Sequence, residues 1–180
     1  HYLRKTGLSN AIVDARIEGK TVVGICGGYQ MIGERIRDPH HVESTEEESI
    51  GLGFLPAITT MAPTKTTRQV EFTFLNDPTP CCGYEIHMGQ TEIRAGKPLC
   101  HLADGTTDGC YLTSRCFGTY IHGIFDNDSI VDYLIAPYAH KSPHEAFNYR
   151  KYRDSQYDAL ADMLRECLDI DLLYRIMEGC

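Results

Sequence analysis

Between residues 8 and 18 apolar groups stand at Leu8, Ile12 and Ala15, with Val13 and Ile17 less regularly spaced, which predicts a helix closed by Gly19. Residues 21–25 (TVVGI) are short, β-branched and bounded by glycine, so they predict a buried strand. Cys26-Gly27-Gly28 is the turn after it, and residues 29–36 continue as a helix. Strand, turn and helix in this order form the basic unit of an α/β sheet, and such folds place ligands at the carboxyl ends of strands, where Cys26 stands. Residues 38–49 are charged and aperiodic, a solvated loop, and residues 51–56 (GLGFLP) mark the return to the core. Residues 58–61, 69–74, 84–88, 109–113 and 116–121 follow as strands between Pro-, Gly- and Asp-rich turns, several of them forming hairpins. Helical spacing returns over 129–136 and 146–168, with Leu160, Leu164, Cys167 and Leu168 on one face, and an amphipathic segment over 172–177.

With 180 residues, 42% of them hydrophobic, this pattern fits one ordinary domain with its own core. No apolar run approaches the roughly 18–20 residues that span a bilayer, and the first residues lack the apolar core of a signal peptide. A cytoplasmic location away from membranes is expected. Acidic residues outnumber basic ones by 25 to 17, a net charge of −8 that disfavours a nucleic-acid partner. The eight cysteines are expected to be mostly reduced thiols, and none shows the C-x2-C spacing of a structural zinc site. His40-His41 beside Asp38 and Glu43 reads as a polar loop, so no metal is expected.

The sharpest chemical feature is Gly24-Ile25-Cys26-Gly27-Gly28. A G-x-C-x-G turn between strand and helix strains the nucleophile outward, leaves room for a substrate, and aims backbone N–H groups at the sulfur. Those donors favour thiolate and can hold an oxyanion when it attacks a carbonyl. A buried structural cysteine in a glycine-rich turn shares the same pentapeptide. A cysteine nucleophile needs a proton-transfer partner, and His122, at the end of a second core strand, is best placed; His87 is the other candidate. Strand alternation puts Glu85 and His87 on one face, suited to a polar substrate or to a plain surface pair. Gly19-Lys20-Thr21 mimics the end of a phosphate-binding loop, but Asp14 occupies the first glycine position and the helix precedes the strand, so ATP is not expected to bind there.

Residues 21–33 (TVVGICGGYQMIG), 50–56 (IGLGFLP), 83–91 (GYEIHMGQT) and 118–127 (GTYIHGIFDN) resemble, in order and spacing, the C-terminal class I glutamine amidotransferase domain of cobyric acid synthases. The elbow is shared by all class I amidotransferases; the combination narrows the resemblance to cobyric acid synthases and cobyrinic acid a,c-diamide synthases, and the extended GYEIHMG and GLGFLP segments favour the former. The resemblance implies a flavodoxin-like α/β domain with a mostly parallel core sheet and added hairpins, lacking its first strands. It implies that Cys26 attacks the side-chain amide of glutamine, that His122 shuttles protons, and that a glutamyl thioester is hydrolysed to release ammonia. Gly27, Gly28, Tyr29, Gln30, Glu85 and His87 would form the oxyanion and substrate-binding shell.

In the family, ammonia passes to an ATP- and Mg-using synthetase domain that amidates corrinoid carboxylates; that domain is expected to be absent from these residues, leaving no cofactor in this chain. The usual triad glutamate two residues after the histidine is replaced by Ile124, so the site reads as a Cys/His dyad with Glu85 or Asp126 as candidate third members. The family's upstream glycine turn, source of a second oxyanion donor, would precede residue 1. On that expectation the isolated chain has little glutaminase activity and pairs an open sheet edge with another copy or with the missing segment. Competing readings are an α/β-hydrolase and a non-catalytic binding or redox-sensing domain.

Overall fold

The computed structural model describes residues 2–138 and 149–179. Two units divide the chain, one running to Leu134 and one from Ile135 onward. The first contains α1 (Tyr2–Lys5), α2 (Leu8–Ile17), β1 (Val22–Ile25), α3 (Gly27–Ile32), β2 (Arg35–Arg37), β3 (Glu48–Ile50), β4 (Ala57–Phe74), β5 (Cys81–Ile93), β6 (Cys100–Leu102), β7 (Thr107–Asp108), β8 (Cys110–Thr113), β9 (Cys116–Thr119) and β10 (Ile121–His122). A 3-10 turn (Ile124–Asp126) and α4 (Asp128–Ile135) complete it, and α5 (Tyr149–Cys167) and α6 (Ile170–Met177) follow.

Two sheets form. The smaller has strand order β1-β9-β8; the larger runs β10-β5-β4-β2-β3, with β6 on β4 and β7 on β6. β1 lies parallel to β9 in the register Val22↔Cys116 to Ile25↔Thr119. All four residues of β9 are buried, as its position between two apolar clusters requires. Cys116 joins Tyr29, Ile32, Leu55 and Tyr120 on one side, and Phe117 joins Phe72, Phe74, Leu99 and Ile121 on the other. A strand buried on both faces has no polar alternation, and Cys-Phe-Gly-Thr shows none.

The glycine pair at the centre of this register lets α3 lie on the sheet. A Cβ on Gly24 would stand 2.7 Å from the carbonyl carbon and oxygen of Gly28, and one on Gly118 would stand 2.4 Å from the Tyr29 ring. Both are far inside contact distance, so helix and strands approach at backbone range.

The α/β class holds, but the sheet is mixed where a mostly parallel core was expected. Among the described residues parallel pairing is confined to β1–β9 and β2–β4. The dominant pair, β4–β5, is antiparallel because the six residues between them are too few for a parallel crossover. The helix expected over 29–36 stops at Ile32, and Arg35–Arg37 is a strand parallel to β4. A Cβ on Gly33 would meet the Ala57 carbonyl at 2.9 Å, so the chain passes too close to β4 for another helical turn.

The expected solvated loop 38–49 is partly built. Desolvation works against ionisation of Asp38, but N–H donors from Val42, Glu43 and Ser44, at 2.7–2.8 Å, outweigh it and hold its carboxyl below the usual range. Its last residues enter β3, held to β2 by Glu48 pairing with Arg35 and Arg37. Residues 58–61 and 69–74 belong to one 18-residue strand, β4, whose register shifts between Met61 and Thr66. Pro63 falls in that interval, where no ladder donor is needed. Residues 116–121 break at Tyr120, with β9 in one sheet and β10 in the other.

In the second unit α5 carries Leu160, Leu164 and Cys167 at helical spacing, while Leu168 lies just beyond its end; the expected start at 146–148 is outside the described residues. Asp169 caps α6 by accepting the Leu172 N–H at 2.9 Å. No helix among the described residues is long and apolar enough to cross a membrane. The outer edge of β1 carries no strand among the described residues.

Replacing Gly118 by alanine drives a methyl into the Tyr29 ring, and overpacking of this kind costs about 1–3 kcal/mol. Chemical denaturation of Gly118→Ala should show a lower midpoint with an unchanged slope; an unaltered midpoint would mean that α3 does not depend on this contact.

Candidate active site

Cys26 sits one residue beyond β1 with φ 52° and ψ −114°. A non-glycine residue there stores about 1–3 kcal/mol of strain, which the surrounding register must hold. It does so through the Cys26 N–H, which donates to the Thr119 carbonyl at 2.8 Å, one step past the β1–β9 pairing. α3 starts at once, and the Gln30 N–H returns to the Cys26 carbonyl at 3.2 Å. Cβ positions on Gly27 and Gly28 would face open space, so approach to the sulfur from that side meets no side chain. Tyr29 is placed differently: 2% exposed, it is a wall packed edge-on to Tyr120 at 5.2 Å, and burial pushes its hydroxyl pKa far up. Gln30 Nε2 donates to the Tyr120 hydroxyl at 3.5 Å.

His122 arrives by a different route. β10 pairs antiparallel with β5, Ile121 opposite Glu85 and His122 opposite Tyr84. The close approach depends on Gly83, whose Cβ would stand 2.5 Å from the His122 carbonyl. The imidazole stacks on the Tyr84 ring with centroids 5.1 Å apart and planes 9° from parallel. Its Nε2 is buried and has no hydrogen-bond partner among the described residues. The Cys26 thiol donates to the Ile86 carbonyl at 3.5 Å, two residues along β5 from the tyrosine that carries His122. The two sequence-predicted groups therefore converge on the stretch Tyr84–Ile86, although no direct hydrogen bond joins them.

Burying an imidazole nitrogen without a partner costs on the order of 1–3 kcal/mol. Such an atom is free to exchange a proton with a group brought to it.

Glu85 and His87 form a second cluster, on the opposite face of β5 from Tyr84. Glu85 accepts from Arg68 Nε at 2.5 Å, and Arg68 also donates to Asp104 at 2.6 Å. His87 pairs its Nδ1 with the Gly89 carbonyl at 2.8 Å, brings Nε2 to 4.0 Å from Glu85, and stacks on Tyr120 at 3.9 Å. Arg68, Glu85, His87 and Tyr120 line a cleft of about 530 Å³ whose walls do not include Cys26 or His122. Gln30 connects the two regions through the Tyr120 hydroxyl. Of the two candidate third members, Glu85 is engaged with Arg68, and the Asp126 carboxylate lies over Gly123, within 3.5 Å of where a Cβ would be. Neither accepts a bond from His122 Nε2.

Sequence reasoning missed Asp108. It is buried beside Thr119 and Tyr120, accepting from the Thr119 hydroxyl and, at 3.1 Å, from the Tyr120 N–H. Asp108-Gly109 has the composition of an exposed turn, and no local signal distinguishes it from Asp104-Gly105. Among the described residues no three metal-ligating side chains converge, and no disulfide joins the cysteines.

Residues 1–130 match the CobB/CobQ-like glutamine amidotransferase domain. Similar proteins include cobyric acid synthases of Phocaeicola vulgatus and Bacteroides fragilis, each 50% identical over 98% and 97% of this chain and 36% of the relative. One from Caldanaerobacter subterraneus is 37% identical over 98% of this chain and 39% of its own. The chain thus spans little more than a third of the length of these relatives. A crystal structure of a glutamine amidotransferase superposes with a TM-score of 0.56 at 16% identity, covering 74% of this chain and 69% of the other, which bears on the fold alone. On the family match and these identities, this chain belongs to the CobB/CobQ-like glutamine amidotransferase domain family.

Proposed function

We propose that this domain is the glutaminase of a cobyric acid synthase, with Cys26 as nucleophile and His122 as proton-transfer group. The thiolate attacks the side-chain amide carbon of glutamine, and the Gly27 N–H faces the oxyanion that develops. His122 protonates the departing nitrogen, ammonia leaves and a glutamyl thioester remains. Water then adds with His122 as base, releasing glutamate and restoring the thiol. The observation that carries this reading is the buried, unpartnered Nε2 of a His122 ring stacked on Tyr84, two residues along β5 from the Ile86 carbonyl that receives the Cys26 thiol. A redox-sensing role would have no use for that imidazole.

Ammonia would then serve an ATP- and Mg-using synthetase that amidates corrinoid carboxylates. Support for this comes from the cobyric acid synthases that are half identical to the chain and extend well beyond it. The cluster of Gln30, Glu85 and His87 around Tyr120 would take the polar end of glutamine.

In a coupled assay of glutamate release, Cys26→Ala should abolish turnover, and His122→Ala should lower kcat by about 10²- to 10⁴-fold. Retention of activity by Cys26→Ala would refute the nucleophile. His87→Ala should raise KM with kcat little changed, as expected for loss of uniform binding; a fall in kcat alone, with KM unmoved, would remove the cleft from substrate binding.

A further inference from the structure

Cys26 and His122 belong to different sheets, so their spacing is set where the chain passes from β9 to β10, and a buried carboxylate sits at that crossing. Asp108 closes β7 and is 8% exposed. Its Oδ2 accepts from the Thr119 hydroxyl, and both its oxygens accept from the Tyr120 N–H, at 3.1 and 3.3 Å. The Thr119 hydroxyl oxygen in turn accepts the Ile121 N–H at 3.0 Å. One carboxylate and one hydroxyl thereby fix residues 119, 120 and 121 against one another. The Thr119 carbonyl receives the Cys26 N–H on one side, and His122 follows Ile121 on the other.

The approach is built in. The left-handed Gly109 that follows Asp108 would place a Cβ 2.4 Å from the Gly118 carbonyl, so the link from β7 to β8 meets β9 at backbone distance. Burial pushes the Asp108 carboxyl up, against the bonds from Thr119 and Tyr120. An apolar side chain could fill the same volume without that cost, but it could not bond the crossing.

We propose that Asp108 is a positioning residue of the glutaminase centre: through Thr119 and Tyr120 it holds the Cys26 turn and the His122 ring at working distance. This rests on the Cys26/His122 assignment above. Asp108 touches neither group directly, and its effect is transmitted by the backbone of residues 119–121. A displacement of about 1 Å between reacting groups is enough to lower rates by about a hundredfold.

The test measures steady-state glutaminase kinetics, thermal midpoint and the pH profile of Cys26 alkylation in the wild type, Asp108→Asn, Thr119→Val, Thr119→Ser and His122→Ala. Asp108→Asn and Thr119→Val should lower kcat by about 10- to 100-fold with KM changed less than about threefold. Both should move the Cys26 alkylation profile in the same direction as His122→Ala, and Thr119→Ser, which keeps the hydroxyl, should restore wild-type behaviour. In the His122→Ala background Asp108→Asn should have no further effect on that profile. Thr119→Val removes a single hydroxyl and decides the matter if Asp108→Asn does not fold. Loss of activity only in proportion to lost folded protein, with the alkylation profile unmoved, would overturn the proposal. If His122→Ala itself leaves activity and the profile unchanged, the dyad assignment fails instead.

Discussion

The parallel pairing of β1 with β9 is the constraint on which the rest of the molecule depends. It is only four residues long, Val22 to Ile25 against Cys116 to Thr119, yet 90 residues, 26–115, separate the two strands in sequence. Closing so long a loop has an entropic cost that rises only slowly with length, and burial of β9 between two apolar clusters offsets it. The same register holds the strained Cys26 backbone through the Thr119 carbonyl, so fold stability and the geometry of the turn share one set of bonds. Gly24 and Gly118, opposite each other, remove the side chains that would keep α3 off the sheet.

The second half of the site is assembled by a change of sheet. At Tyr120 the chain leaves β9 and joins β5 through β10, carrying His122 to Tyr84. β5 therefore serves two regions at once. One face holds the stack on His122, while the other carries Glu85 and His87 into the cleft shared with Arg68 and Tyr120. His87 is engaged at Nδ1 and by stacking, whereas His122 keeps a buried nitrogen unpaired. Both rings stack on a tyrosine, and among the described residues it is the His122 Nε2 that is buried without a hydrogen-bond partner.

Much of this was legible in the chain because it is written in local chemistry. α2 follows from its apolar spacing, β1 from a β-branched run between glycines, and the elbow from glycines on both sides of Cys26. What escaped reading is nonlocal. Helix α3 stops at Ile32 because β4 crosses Gly33, and no propensity in residues 33–36 reports that neighbour. β3 looked like loop because its three residues are all exposed and gain order only by pairing with β2. The bend at Tyr120 divides what reads as one strand, and Asp108 becomes a core residue only when Thr119 and Tyr120 fold onto it. Motif spacing placed Cys26 and His122 at strand ends; that both reach Tyr84–Ile86 required the sheet topology.

In the proposed glutaminase, glutamine is opened through a covalent bond to Cys26. Rapid acid quenching of the protein during glutamine turnover, followed by peptide mass spectrometry, tests it directly. A glutamyl thioester is expected on the peptide carrying Cys26, and none in Cys26→Ala. Glutamine consumption with no adduct on Cys26, or with an adduct on another residue, would contradict it.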